Sequence, residues 1–465
     1  MQRLILRQRR KLNQRWTIGV AAVAATLMAV SVATTPIAAA GPSSIGVAYN
    51  VSAVLVGSNG AIGALYQPKV PDPQEATAFL FSHDTANLIG TTACTQLAQR
   101  GYTVLCVKSE FVDYAEVTWD ALALDIASGI TELRSLGNVK HVILVGYSAG
   151  GPDVAYYQNV AQNGIATCQE PERLDPCGSD LANMPPADGV ILLDSIPGAL
   201  SGLSTLDPSV VNEKNLNIRN SSLNMFSPTN GYNPNGSSNY TTAFVNRYTE
   251  AQGARMNRLI KEAQNLLKLV KEGKGQYSDD SPMLVGAVNA RPWDADVNLI
   301  SHTVGKWPLI SPQYPNGSPP QIVDSIRPPG ADPVANSQWD QTDGGYTAST
   351  FLSTAAIRAP DFKVTADSIT GVDWGSSNTS TILNVRGIKS PILIMGMTGH
   401  TWVVASEMYY NAAKNSSSKT LVYVEGASHS FSPCTACSGD PSTFGDTVSE
   451  VFNYISNWAT QQFSN

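Results

Sequence analysis

The stretch Val142–Pro152, with the sequence VILVGYSAGGP, decides the fold of this chain. Its first four residues are apolar and β-branched or Leu, which indicates a short buried strand. Proline at position 152 suits the first turn of a helix. Between them Gly146–Gly150 reads Gly-x-Ser-x-Gly, and a strand turning sharply into a helix raises the central serine above the sheet. The stretch therefore predicts Ser148 as an exposed nucleophile whose flanking glycines allow close backbone approach.

Alternating strand and helix patterns surround this stretch. Apolar strand-like runs lie at 78–81, 102–107, 189–193, 391–395 and 420–424, and helical spacing covers 91–100, 117–136 and 446–461. An N-terminal hairpin over 45–66 is indicated by Asn59-Gly60 between two alternating runs. Continuous apolar strands separated by helices predict a mostly parallel sheet with helices on both faces.

The alternation stops between the strands that end near Asp194 and begin near Pro391. This region is rich in Pro, Gly, Asn and Ser, with one amphipathic helix over Ala254–Lys271. We therefore expect an α/β core interrupted by a large cap, with a leader at 1–40, core at 41–195, cap at 196–389 and core again at 390–465. The cap aromatics either line an apolar substrate pocket or pack the cap's own core; they are Trp293, Trp307, Trp339, Trp374, Tyr232, Tyr240, Tyr248 and Tyr277.

With the nucleophile motif in this context, the sequence resembles the α/β-hydrolase superfamily over the core, though not over the cap. A serine hydroxyl needs a neighbouring base. The resemblance assigns that role to His429, in the loop Glu425–Phe431 (EGASHSF) between the last strand and the last helix. Gly-Ala-Ser-His is similar to the corresponding loop of secreted cutinase-like polyester hydrolases. His141 precedes the nucleophile strand, at the opposite end of the sheet, and is out of reach.

The acid of the triad has two candidates. Many members of the superfamily carry it after the strand that matches 391–395, but the turn Gly396–His400 (GMTGH) holds no carboxylate, and Glu407 lies about a helical turn beyond it. The other known placement follows the preceding strand, where Asp194 stands, as in platelet-activating-factor acetylhydrolases and chlorophyllases. The order Ser148, Asp194, His429 then fits the superfamily. Glu407 is the alternative acid.

An oxyanion hole is expected from two backbone amides. One is the N–H of Ala149, directly after the nucleophile; the other comes from the loop Ser82–Ala86. We favour Thr85 as this second donor, with Asp84 and Ala86 as alternatives. His83 is interpreted as a residue that orders the loop.

The N-terminal segment predicts an export signal: a basic stretch is followed by an apolar run over 18–33 and by Ala38-Ala39-Ala40. The alternative is an uncleaved anchor, although about 16 apolar residues are few for a membrane span. The formal net charge is −7, and about −13 without the six leader cations. An acidic chain argues against nucleic-acid binding. We expect a secreted, extracellular or periplasmic protein without a stable membrane span after cleavage.

The six cysteines form three local pairs, which predict disulfides in an exported chain. The third pair is also compatible with half a metal site or a redox dithiol, but no second such pair accompanies it. The pairs are Cys94 with Cys106, Cys168 with Cys177, and Cys434 with Cys437.

Together these features predict a secreted serine hydrolase that cleaves carboxylic esters, small or polymeric, through an acyl-enzyme, with no metal or organic cofactor. The preference for esters follows from the esterases and lipases that the sequence resembles. Two alternatives remain: a serine peptidase or amidase of the same fold, and a non-catalytic binding protein on a hydrolase scaffold. Acyl length, lid motion and oligomeric state are left open by the sequence.

Overall fold

The computed structural model describes residues 46–57, 61–287, 291–330, 342–440 and 442–463. The predicted leader at 1–40, the hairpin tip at 58–60 and Trp339 lie outside these residues. No helix in the described ranges is long and apolar enough to cross a bilayer.

The central sheet has nine strands in the order β1-β2-β4-β3-β5-β6-β14-β15-β9 in the described part of the chain. β2 runs antiparallel to both of its neighbours, and the other neighbours pair in parallel. Three two-stranded sheets lie outside it. The strands are β1 Tyr49–Val56, β2 Ala61–Pro68, β3 Thr77–Ser82, β4 Thr103–Lys108, β5 His141–Tyr147, β6 Gly189–Leu193, β7 Pro282–Ala287, β8 His302–Trp307, β9 Leu309–Ile310, β10 Gln321–Asp324, β11 Thr342–Thr347, β12 Lys363–Val364, β13 Ile369–Thr370, β14 Ile392–Met397 and β15 Lys419–Val424.

The helices follow the core strands and fill the cap. They are α1 Thr92–Ala98, α2 Trp119–Ser135, α3 Gly150–Asn163, α4 Leu200–Thr205, α5 Thr242–Lys271, α6 Pro292–Ala295, α7 Ala348–Thr350, α8 Thr381–Val385, α9 Val403–Ala412, α10 Thr435–Ser438 and α11 Thr447–Phe463. Helix α5 begins 12 residues before the predicted start, because the side chain of Thr241 caps it by accepting from the N–H of Phe244.

Both faces of the sheet are buried at its central strands, as their continuous apolar runs predict. On β3, Leu80 faces the core formed with α2 and α3, and Phe81 faces the opposite core formed with α1 and α11. Leu144 and Val145 of β5 alternate in the same way. Because successive side chains of a strand point to opposite faces, a strand buried on both sides must be apolar throughout.

The register brings the carboxyl ends of several strands together. Gly146 of β5 pairs with Ser82 of β3 on one side and with Leu192 of β6 on the other. Met395 of β14 pairs with Leu193. The residues that follow β3, β5, β6 and β14 therefore meet at one edge, which is where ligands bind in open parallel sheets.

The cap lies between β6 and β14, and it is tied to the sheet more closely than the sequence indicates. Leu309–Ile310 pairs in parallel with β15 and forms the edge strand β9. A separate cap core packs around Phe244 and Tyr248 of α5. The sheet, its covering helices and this insertion form the α/β-hydrolase fold, so the predicted fold class is confirmed.

All three predicted cysteine pairs lie at disulfide distance. The Cα–Cα distances are 6.3 Å for Cys94–Cys106, 5.5 Å for Cys168–Cys177 and 5.3 Å for Cys434–Cys437. Cys94–Cys106 joins α1 to β4 inside the core between them.

Replacing Cys94 and Cys106 together by Ala should lower the free energy of unfolding by about 3 kcal/mol, because the unfolded chain loses a cross-link and the core loses two buried side chains. Urea unfolding of the oxidised protein measures this loss. The disulfide Cys434–Cys437 closes a shorter loop, so replacing both of these cysteines by Ala should lower the free energy of unfolding by less. Equal losses in the two variants would contradict this account.

Candidate active site

The nucleophile turn has the strained backbone that its motif predicts. Ser148 has φ of 54°, in the left-handed region that residues with a side chain seldom adopt. Its N–H donates to the carbonyl of Leu193 at 3.2 Å, and its carbonyl accepts from Gly151 at 3.1 Å. A Cβ on Gly150 would lie 2.1 Å from the carbonyl oxygen of Ser82. Glycine at this position is therefore what lets the turn pack against the end of β3.

Three predicted residues meet above the sheet edge. His429 Nε2 lies 2.9 Å from Ser148 Oγ, and His429 Nδ1 lies 2.6 Å from Asp194 Oδ2. These distances fit a serine hydroxyl that donates to Nε2 while the Nδ1–H donates to the carboxylate. Asp194 also has a left-handed backbone, with φ of 45°, at the turn directly after β6. The arrangement can take a proton from Ser148 and pass it on.

The environments of Asp194 and His429 differ. Asp194 is fully buried, whereas the His429 side chain is 31% exposed. Burial alone would raise the pKa of Asp194, but the two histidines beside it, His400 and His429, outweigh burial and lower it to about 2. The carboxylate therefore stays charged, and it can stabilise an imidazolium on His429.

His400 is the site residue that the sequence reasoning missed. Its Nδ1 lies 2.7 Å from Asp194 Oδ2, the oxygen that also contacts His429, and its ring stacks on His429 with centroids 4.2 Å apart. The available signal was topological: His400 follows β14, and β14 neighbours β6, which delivers Asp194. The ligand atoms of the three residues lie within 4.8 Å of one another. The hydrogen bond to Oδ2 comes from His429, and His400 Nδ1 makes a close polar contact with the same oxygen.

Glu407, the alternative acid, is engaged elsewhere. Its carboxylate accepts from the N–H groups of Val304 at 2.8 Å and Gly305 at 2.6 Å, and from Trp307 Nε1 at 2.9 Å. These bonds tie α9 to the cap strand β8. A carboxylate holding three donors is a structural anchor, and the contact to His429 Nδ1 is made by Asp194.

The choice of Thr85 as second oxyanion donor is corrected by its hydrogen bonds. The Thr85 N–H donates to Asp84 Oδ1 at 2.7 Å, and the Ala86 N–H donates to His83 Nδ1 at 3.0 Å. Both amides are thus held inside the loop that follows β3, because its side chains fold back onto its own backbone. Of the three candidates, the amide of Asp84 remains. His83 orders the loop as predicted.

A buried carboxyl group connects the helix after Ser148 to the end of β3. Asp153, in the first turn of α3, is fully buried and accepts from the hydroxyl of Ser82 at the end of β3. Burial raises the pKa of Asp153 to about 8, and the hydrogen bond from Ser82 acts in the opposite direction. Helix α3 is therefore held to the end of β3 by the carboxyl group of Asp153, which keeps its proton at neutral pH.

A cavity of about 350 Å³ opens onto Ser148. Hydroxyl groups make up much of its lining beyond the catalytic corner, and one cation, Arg291, stands 5.0 Å from the Trp402 ring centroid. The lining residues are His83, Asp84, Thr85, Tyr114, Ser148, Ala149, Ile196, Ser201, Gly202, Thr205, Arg291, Tyr346, His400, Trp402 and His429.

None of the cap aromatics named from the sequence lines this cavity among the residues described. Tyr240 and Tyr248 are buried in the cap's own cluster. Trp293 packs on Trp402 and Trp307 on Tyr410, both in the core, and Tyr277 is exposed. For Tyr240 and Tyr248 the structure agrees with the interpretation that the rings serve the cap's own packing.

The fold and this site together define the class: an α/β-hydrolase fold with a hydrogen-bonded serine, histidine and aspartate at its nucleophile turn. No family model matches the chain, and no curated protein matches it. It is similar to an inhibited esterase B from Lactobacillus rhamnosis, with 10% identity, coverage of 90% of each chain and a TM-score of 0.40. It is also similar to an esterase domain from Rhodothermus marinus, with 12% identity, coverage of 89% and 98%, and a TM-score of 0.37.

A third similar structure is the acylaminoacyl peptidase of Pyrococcus horikoshii, with 12% identity and a TM-score of 0.35. The match covers 90% of this chain and 42% of the peptidase. Because these TM-scores lie below 0.5, the fold assignment rests on the strand order and the connections of the sheet.

Asp194→Asn and Glu407→Gln should have opposite effects. Asp194→Asn should lower kcat about 10³- to 10⁴-fold, because the tautomer and the charge that support His429 are lost. Glu407→Gln should keep kcat within about threefold and lower the free energy of unfolding by about 1–3 kcal/mol, because three donors lose a charged acceptor. Turnover with an ester and urea unfolding measure the two effects. A catalytic loss in Glu407→Gln larger than in Asp194→Asn would reassign the acid.

The stability of the protein should fall as pH rises between about 4 and 8. In this range the unfolded chain ionises Asp153 near its ordinary value of 3.8, while the native carboxyl, with a pKa of about 8, keeps its proton. Asp153→Asn removes this group and should make the decline shallower. A residual slope remains from Asp125 and Glu450, with pKa values raised by burial to about 7, and from Asp175, raised to about 6. Urea midpoints at several pH values measure the slope. Asp279→Asn, on an exposed cap residue, is the control, and an unchanged slope in Asp153→Asn would contradict the assignment.

Proposed function

We propose that this protein is a serine hydrolase that cleaves carboxylic esters of short acyl chain through an acyl-enzyme. The observation that carries the proposal is the chain of two hydrogen bonds from Ser148 Oγ through His429 to Asp194, at 2.9 and 2.6 Å. It occurs at a strained nucleophile turn that opens into a cavity. This combination is the geometric signature by which nucleophilic serine catalysis is recognised.

In the proposed reaction His429 Nε2 takes the proton of Ser148 as Oγ attacks the ester carbonyl. The N–H groups of Ala149 and Asp84 stabilise the tetrahedral oxyanion, helped by the N-terminal end of α3. The imidazolium, stabilised by Asp194, gives its proton to the departing alcohol. Water then attacks the acyl-enzyme with His429 again as base, and Ser148 is restored.

The preference for a short acyl group follows from the cavity. Its volume of about 350 Å³ is near the lower end of the range of ligand sites, about 300–1,000 Å³. Ser201, Thr205 and Tyr114 bring hydroxyl groups to its wall, and a long alkyl chain would strip these groups of water without replacing their hydrogen bonds. A small, partly polar ester fits this lining better than a lipid.

The peptidase and the binding-protein alternatives make different demands. An amidase of this fold would use the same three residues, so the site is compatible with both activities. The rates of ester and amide hydrolysis distinguish them. A binding protein gains nothing from a strained Ser148 held in contact with a base. Secretion remains part of the proposal, supported by the leader pattern and by three cysteine pairs at disulfide distance.

Hydrolysis of p-nitrophenyl esters from acetate to palmitate by the mature protein tests this function. We expect kcat/KM to be highest between acetate and butyrate and to fall steeply for palmitate, because the cavity holds only a short chain. Ser148→Ala should lose at least about 10⁴-fold in kcat. p-Nitroanilides with the same acyl groups should react more slowly.

Several outcomes would contradict the proposal. Highest activity on palmitate would refute the short-chain preference, and faster anilide than ester hydrolysis would favour the amidase. Ester turnover that persists in Ser148→Ala would remove the serine mechanism. Labelling of the native protein, but not of Ser148→Ala, by a fluorophosphonate is the independent check that Ser148 is activated.

A further inference from the structure

The residue before the nucleophile carries a side chain that the hydrolytic steps proposed above do not use. Tyr147 is the last residue of β5, and the nucleophile motif leaves its identity open. Its hydroxyl donates to the main-chain carbonyl of His429 at 3.0 Å. Its ring lies against the imidazole of His429, with centroids 4.9 Å apart and planes inclined by 32°. This side chain of the nucleophile strand therefore contacts both the backbone and the ring of the base.

We propose that Tyr147 is a positioning residue that holds His429 over Ser148 through this hydrogen bond. Tyr147 acts through the base, and it is not among the described residues that line the cavity. Its contribution should therefore fall on the chemical step and not on substrate binding. The kinetic consequence rests on the proposed hydrolase function, whereas the restraint on His429 stands by itself.

The pleat of β5 directs Tyr147 toward the loop that carries His429. Alternate residues of a strand share a face of the sheet, and Val145, two residues earlier, is buried in the core formed with α1 and α11. Tyr147 packs against this same core. The His429 loop joins β15 to α11, so it lies beside this core at the edge where β5 ends.

The His429 loop, residues 426–434, is closed at its base. The Cys434 N–H donates to the Gly426 carbonyl at 2.7 Å. His429 lies in the middle of the loop, where its side chain is 31% exposed. Loops are more mobile than the strands and helices they connect, so the position of the base depends on the contacts that hold this loop.

Phe431 anchors the loop two residues after the base. It has φ of 71°, in the left-handed region, and its ring is buried in the core at 2% exposure. The ring contacts Tyr147 at 4.8 Å and Phe452 of α11 at 5.5 Å between centroids. The Phe431 carbonyl accepts from the hydroxyl of Thr447 at 2.6 Å. The core thus fixes the chain beyond the base, and Tyr147 provides the corresponding contact at the base itself.

Tyr147 and Ser148 attach to His429 at two different points. The phenol holds the main-chain carbonyl, while Ser148 Oγ lies 2.9 Å from Nε2 of the ring. No backbone N–H in the described part of the chain donates to that carbonyl. Because the two attachments come from consecutive residues, a shift of the base loop relative to the nucleophile turn has to stretch both.

The phenol remains a donor throughout the proposed reaction. Burial raises the pKa of Tyr147, and the charge of Asp194 raises it further. A neutral phenol keeps its proton for the carbonyl, and the carbonyl does not titrate. The bond is therefore present both when His429 takes the proton of Ser148 and when it gives that proton away.

Removal of the phenol hydroxyl should lower kcat and leave KM unchanged. A general base has to lie within about 2.6–3.2 Å of the atom whose proton it takes, and a displacement of about 1 Å can lower a rate by about 10². Tyr147→Phe keeps the ring contacts, so we expect part of this loss: kcat about tenfold lower, with KM within about twofold of the native value. Initial rates on p-nitrophenyl butyrate measure both constants.

Two further variants separate the hydrogen bond from packing. Tyr147→Leu removes the ring as well, and its kcat should be lower than that of Tyr147→Phe. Tyr102→Phe is the matched control, because the Tyr102 hydroxyl also donates to a main-chain carbonyl, that of Ser456, at 3.1 Å in the same core. Tyr102 precedes β4, at the end of the sheet opposite Ser148. Its variant should lower the urea midpoint about as much as Tyr147→Phe does, with kcat within about twofold of the native value.

Hydrogen exchange of the backbone amides, followed by mass spectrometry, tests the restraint without any turnover. The N–H groups of Ser428, Phe431 and Cys434 are hydrogen-bonded within the loop, so their exchange reports how often the loop opens. Exchange over residues 426–434 should be at least about threefold faster in Tyr147→Phe than in the native protein. It should be unchanged in Tyr102→Phe.

Several results would overturn the inference. One is a kcat in Tyr147→Phe within twofold of the native value, because the effect would then belong to the ring or to neither group. A second is an equal loss of kcat in Tyr102→Phe, which would reduce the effect to general destabilisation. A rise in KM at unchanged kcat would place Tyr147 in substrate binding instead.

The proposed function and the restraint fail in different ways. Absence of Ser148-dependent ester hydrolysis would refute the function, while hydrogen exchange in Tyr147→Phe would still decide whether the phenol restrains the loop. If Tyr147→Phe does not fold, a crystal structure of the native protein decides, and a Tyr147 hydroxyl without contact to the His429 carbonyl would contradict the assignment.

Discussion

The buried carboxylate of Asp194 is the interaction on which the active site depends, since it fixes the position of two rings and remains charged while doing so. Removing a carboxylate from water is costly unless nearby donors replace its hydration. Here His429 bonds to the carboxylate at 2.6 Å, and His400 Nδ1 lies 2.7 Å from the same oxygen. In the proposed reaction the same charge would stabilise His429 when it takes a proton.

Asp194 reaches this position because of the sheet register. β6 pairs with β5 on one side and with β14 on the other, so the residues after these three strands lie at one edge. Ser148 follows β5, Asp194 follows β6 and His400 follows β14. A strand order in which β6 and β14 were apart would leave the carboxylate with one histidine. The contact between His400 and Asp194 is thus a property of the topology and not of any local motif.

The cap limits the space above Ser148. Glu407 holds β8 through three N–H donors, and β9 extends the central sheet, so the cap is fastened to the core beside the site. Tyr240 and Tyr248 pack in its own interior, while Arg291, Tyr346 and several hydroxyls reach the cavity. A small, partly polar space above Ser148 follows from this arrangement.

The sequence by itself determined the core strands, the sharp turn at Ser148 and the loop that carries His429, and it indicated three local cysteine pairs whose connectivity the structure supplied. These features are local: a buried strand has to be apolar throughout, and a sharp turn between strand and helix needs glycine on either side of the serine. Asp194 was also predicted, although only as one of two acids, because its role depends on a neighbouring strand. The fold class followed from the alternation of strand and helix patterns.

Tertiary structure alone decided the remainder. The engagement of Glu407 by the cap, the cavity lining and the second histidine beside Asp194 all join residues far apart in the chain. The hydrogen bonds of the Thr85 and Ala86 amides are local, but they depend on a loop conformation that the residue pattern does not specify. Hydrophobic periodicity reports which face of an element is buried and carries no information on which distant side chain it meets. His400 shows the difference most clearly: the sequence placed it in a turn without a carboxylate, and only strand order brought that turn to Asp194.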